Sequence, residues 1–102
     1  MLVEFSIIPV GVGSSIGEVV AKVLKIIAES GIRYKATSMG TIVEGDWDEV
    51  MTLIKKCHNT VVETSGRAMT RIAIDDRKGA QADRLEGKIT SVEKRLGLTL
   101  NK

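Results

Sequence analysis

One cysteine, one proline, one histidine, and one each of phenylalanine, tyrosine and tryptophan are all that this 102-residue chain holds of those types. The lone Cys57 excludes an internal disulfide, which suits a reducing, cytoplasmic setting. His58 stands beside it with no second histidine or cysteine at ligand spacing, so neither a metal site nor a bound cofactor is expected. No run of 18 apolar residues is present, so no membrane span is expected. No basic segment precedes an apolar run of signal-peptide length. The 15 Lys and Arg are interspersed with 13 Asp and Glu, and no basic block offers a nucleic-acid backbone a binding surface. With only Phe5, Tyr34 and Trp47 as stacking platforms, base-stacking recognition of RNA is disfavoured as well. No nucleophile, base and orienting acid assemble into a triad, and Asp75-Asp76 and Asp46-Asp48 sit at element ends where capping explains them. No catalytic residues are assigned.

What is present is aliphatic: 43% of residues are hydrophobic and 3% aromatic, which suits layered strands and helices in a single domain over residues 1–102. In Leu2 to Ile8, Val3, Phe5 and Ile7 alternate with Glu4 and Ser6, which predicts a strand ended by Pro9 and the Gly11/Gly13 pair. Ser15 with Glu18 has capping-box spacing, and Ile16, Val19, Val20, Val23, Leu24 and Ile27 recur at helical spacing over 16–30 until Gly31. Tyr34 to Thr37 and Thr41 to Glu44 predict a hairpin turning near Ser38-Met39-Gly40. Asp46 with Glu49 caps a second helix over 47–65, whose apolar stripe is Trp47, Val50, Met51, Ile54, Cys57 and Val61, with Gly66 at its end. Arg67 to Asp75 reads as a fourth strand, and Leu85, Ile89, Val92 and Leu96 mark a third helix over 82–96.

The order βαββαβ(α), with right-handed crossovers, predicts an α+β sandwich of the ferredoxin-like type: a four-stranded antiparallel sheet with helices on one face. The other sheet face is then expected to carry Glu4, Ser6, Lys35, Thr37, Thr41, Glu44 and Arg71. Carboxylates, hydroxyls and one guanidinium on one face are the groups that orient a polar heterocycle. The alternative is a solvated sheet face. Gly11-Val12-Gly13-Ser14-Ser15 leads into a helix N-terminus whose free amides receive polar ligand groups or are simply capped.

Tyr34-Lys35-Ala36-Thr37-Ser38-Met39-Gly40-Thr41-Ile42-Val43-Glu44-Gly45, the Asp48-Glu49-Val50 helix start and Arg71-Ile72-Ala73-Ile74-Asp75-Asp76-Arg77 resemble the YkoF-like thiamine-binding-protein family over nearly the whole chain. Pro9 followed by Ser14 and Ser15 also fits. A departure is Ser38, where the family commonly has a proline before Met-Gly-Thr. The resemblance implies a ferredoxin-like domain pairing through its sheets into homodimers or homotetramers. It also implies a non-catalytic protein that binds a small molecule, thiamine or its hydroxymethylpyrimidine half. The ligand-binding residues expected on that basis are Ser14, Ser15, Thr37, Met39, Thr41, Glu44 and Arg71. Glu44 and the hydroxyls of Ser14, Ser15, Thr37 and Thr41 match the donors and acceptors of an aminopyrimidine. Arg71 is expected first as an ion-pair partner of Glu4 or Glu44 and second as a ligand contact. The competing readings are a regulatory or assembly domain without a small ligand, and an enzyme acting on a small anionic substrate.

Overall fold

The alternation at the N-terminus becomes strand β1 (Leu2–Pro9), with Val3 and Phe5 buried and Glu4 exposed. The computed structural model describes residues 1–11, 13, 16–79 and 84–101. After β1 come α1 (Ile16–Glu29), β2 (Arg33–Thr37), β3 (Gly40–Glu44), α2 (Trp47–Ser65), β4 (Ala68–Asp75) and α3 (Arg84–Leu96). The expected cap at Ser15 and the first residues of the third helix lie outside the described residues. The α2 cap is a reciprocal box. The Glu49 N–H donates to the Asp46 carboxylate at 2.8 Å, and the Asp46 N–H donates to the Glu49 carboxylate at 3.1 Å. Gly66 ends α2 in the left-handed region at φ 81°, where its N–H reaches the Val62 carbonyl at 2.7 Å.

The sheet runs β2-β3-β1-β4 with every neighbour antiparallel, so α1 crosses over β3 and α2 crosses over β1. Both helices pack on one sheet face. Val3 and Phe5, Val43 of β3, Ile27 of α1, and Val50, Leu53, Ile54 and Cys57 of α2 form the core there. Each such aliphatic side chain contributes roughly 1.5–3 kcal/mol on burial. The expected α2 stripe is corrected at Trp47, which is 55% exposed, while Leu53 at 5% takes a core position. Six positions separate the two, which puts them about 120° apart around the helix, and the inward face is centred on Val50, Ile54, Cys57 and Val61.

The third helix lies over the opposite sheet face. Lys35, on that face of β2, reaches Glu86 of α3 at 3.3 Å, and α3 packs on β2 and β3. The β1–β4 half of that face, with Glu4, Ile8, Met69 and Arg71, is left exposed.

Candidate functional site

Unequal strand lengths create the site. Strand β1 pairs with β4 along its whole length, from Leu2↔Asp75 to Pro9↔Ala68, but with β3 only from Leu2↔Glu44 to Phe5↔Thr41. Beyond Phe5 the β3 side of β1 opens, because β3 begins only at Gly40, where the chain has just turned out of β2. The start of α1 roofs this gap with Val19, Val20, Val23 and Leu24, and the result is a cleft of about 220 Å³. Ser6, Ile7 and Ile8 form its floor, and Ala36, Thr37, Met39 and Thr41 form its far wall.

The hairpin tip is held by Thr37. Its hydroxyl donates to the Gly40 carbonyl at 2.9 Å and accepts the Met39 N–H at 3.2 Å, closing the turn from inside. The glycine at 40 is required by close approach: a Cβ there would lie 2.7 Å from the Phe5 carbonyl oxygen. Met39 stands 84% exposed at the tip and borders both the cleft and a depression of about 340 Å³ on the other sheet face. Glu4, Ser6, Ile8, Arg71 and Ala73 line that depression.

The residues expected to share one face therefore divide. Thr41 is corrected: it is 6% exposed and faces the helices, because its cross-strand partner Phe5 does. Three positions separate it from Glu44, and an odd separation along a strand puts two side chains on opposite faces. Thr37, Met39 and Thr41 meet at the cleft. Glu44 lies at the other end of β3, cross-strand from Leu2 and Arg33, and Arg71 is cross-strand from Ser6 on the far side of β1. The expected ion pair of Arg71 with Glu4 or Glu44 does not form; Glu44 pairs with Arg33 at 3.4 Å instead. Ser14 and Ser15 lie outside the described residues. The apolar wall of Ala36, Val20 and Val23 lies outside the residues to which the sequence pattern points. Its signal in the sequence is indirect: β1 is longer than the strand that pairs with it.

Cys57 is fully buried on the inward face of α2, and burial pushes its thiol up to about 11. It is a core residue rather than a nucleophile. No described helix is long and apolar enough to cross a membrane.

The profile of the thiamine-binding protein family matches residues 3–93. This chain belongs to that family. A UPF0045 protein of Synechocystis is 38% identical over 96 residues, covering 91% of this chain and 77% of the relative. The crystal structure of a hypothetical protein from Methanocaldococcus jannaschii superposes with a TM-score of 0.81 at 31% identity, covering 91% of this chain and 95% of the other. A Thermotoga maritima protein proposed to act in thiamine biosynthesis or salvage shares the fold with a TM-score of 0.77 at 22% identity, covering 89% of this chain and 96% of the other. The α+β ferredoxin-like architecture of the thiamine-binding family is thus the architecture of this chain.

Proposed function

We propose that this protein binds thiamine or its hydroxymethylpyrimidine half in the cleft between α1 and the β2–β3 hairpin and leaves it chemically unchanged. The carrying observation is the lining of that cleft in a chain of this family. Its walls are aliphatic, its polar groups are hydroxyls and backbone, and none of the described lining residues is titratable. Such a lining orients a flat, neutral heterocycle and supplies no side chain for general acid–base catalysis. The absence of a carboxylate among the described lining residues favours the neutral pyrimidine ring over the thiazolium cation as the group held inside.

The protein acts as a homo-oligomer in this reading. Ile8 and Met69 are 46% and 48% exposed on the sheet half that α3 leaves open, and Ile89, Val92 and Leu96 are 39%, 43% and 56% exposed along α3. Apolar surface of this kind on one side of a small chain is covered by association of copies. The free buried thiol suits a reducing cytoplasm.

Calorimetric titration with thiamine and with hydroxymethylpyrimidine, on wild type and on Val20→Trp, tests the binding. Saturable heat in the wild type that disappears when the indole fills the cleft supports it. No heat from either ligand, in protein stripped of co-purified compounds by unfolding and refolding, rules it out and leaves an assembly domain. Light scattering that gives a mass of 11.0 kDa would rule out the oligomer.

A further inference from the structure

Strand parity identifies a pair of backbone groups in the cleft with no partner in the sheet. Met1 and Gly45 exchange bonds across the β1–β3 register: the terminal ammonium donates to the Gly45 carbonyl at 2.7 Å, and the Gly45 N–H donates to the Met1 carbonyl at 3.1 Å. On the other side, the Val10 N–H donates to the Arg67 carbonyl at 2.9 Å, in line with the β1–β4 register. Because N–H and C=O of one residue point the same way and alternate along an antiparallel strand, the odd residues of β1 address β3 and the even ones address β4. The Phe5 carbonyl, turned toward Gly40, agrees.

Ile7 is the next odd residue. The position opposite it is 39, where the chain is already in the turn and the Met39 N–H is given to Thr37. The N–H and C=O of Ile7 therefore face the cleft without a ladder partner among the described residues, and Ile7 lines that cleft. Pro9 follows at the next odd position, where the absence of an N–H on the unpaired side costs the sheet no bond. Backbone groups in a largely apolar cleft must be satisfied by water or by a ligand.

We propose that the Ile7 N–H and C=O are the groups by which the cleft reads its ligand, holding a heterocycle whose acceptor nitrogen and exocyclic amine lie side by side in place of the missing β3 residue. The ring nitrogen accepts from the Ile7 N–H, and the amine donates to the Ile7 carbonyl. Two parallel main-chain bonds give affinity, as in strand addition, and the order of donor and acceptor gives selectivity. This rests on the reading that a pyrimidine occupies the cleft.

The test is an amide-resolved NMR titration of the isotope-labelled full chain with hydroxymethylpyrimidine and with its counterpart lacking the exocyclic amine. Without ligand, the Ile7 amide is expected to exchange rapidly with solvent while those of Phe5 and Ile8 are protected. With the amine-bearing probe it is expected to shift downfield and become protected, and the counterpart is expected to bind at least about tenfold more weakly. An Ile7 amide protected before ligand is added overturns the inference. So does binding that shifts Ala36 and Gly40 but leaves Ile7 unmoved, an outcome under which the cleft reading itself survives. No saturable shift anywhere removes the cleft reading and this inference together.

Discussion

Arg33 Nη1 stands 3.4 Å from the Glu44 carboxylate, on the sheet face opposite the one against which the cleft is built. The only glutamate of the hairpin is thereby engaged with its cross-strand neighbour and lies at the end of β3 remote from the turn. The face against which the cleft is built and the face that carries this ion pair are different faces.

Glu44→Ala is accordingly expected to leave pyrimidine affinity within about twofold of wild type and to cost on the order of 1 kcal/mol of stability, as for a partly exposed ion pair. Calorimetry on the variant checks the first and urea unfolding the second. A large loss of affinity without a loss of stability would place the ligand on the other face.

Gly40→Ala places a methyl group 2.7 Å from the Phe5 carbonyl oxygen, and backbone cannot swing aside as a side chain can. The β3 strand must shift away from β1 at the mouth of the cleft, at an expected cost of about 1–3 kcal/mol. Denaturant midpoints should fall together with ligand affinity. An unchanged midpoint would mean that the two strands are not held this closely.

The element order was legible in the sequence because alternation in β1 and helical spacing in α1 and α2 are period signals, and Gly31 and Gly66 both take the positive φ expected of a helix stop. The site was legible only in part. Thr37, Met39 and Thr41 line one cleft, but Thr41 and Glu44, expected on one face, fall on opposite faces, as counting positions along β3 requires. The open edge at Ile7 depends on β3 beginning only at Gly40 while β1 runs on to Pro9, a difference in pairing length that no local pattern of residues encodes. Spacing alone puts Trp47 on the apolar stripe, but at the first turn of α2 it is 55% exposed.

His58 Nδ1 lies 2.6 Å from Thr70 Oγ1, a side-chain bond that ties α2 to the edge strand β4. Removing either partner is expected to destabilise the fold by about 1 kcal/mol. A double-mutant cycle of His58→Ala and Thr70→Val should return a coupling of about 0.5–1.5 kcal/mol. Additive effects would show that the bond does not persist in solution.

Cys57 makes stability depend on pH at the alkaline end. Its thiol titrates near 9.0 when unfolded and near about 11 in the fold, because burial penalises the thiolate, with the Lys56 charge opposing that shift. As pH rises past 9.0 the unfolded chain releases this proton while the folded chain still holds it, so the contribution of this group is complete below pH 9.0 and is lost up to about 11. A shift between these two values corresponds to a loss of roughly 2–3 kcal/mol over that window. Other groups titrate in the same range, so the measurement is a difference: urea unfolding of wild type and Cys57→Ala from pH 8 to 11. The variant starts less stable because it leaves a small cavity, but its stability should decline less steeply with pH, and the two curves should converge. Parallel curves would mean that the thiolate forms in the native state without penalty and that Cys57 is not enclosed on the inward face of α2 as the fold places it.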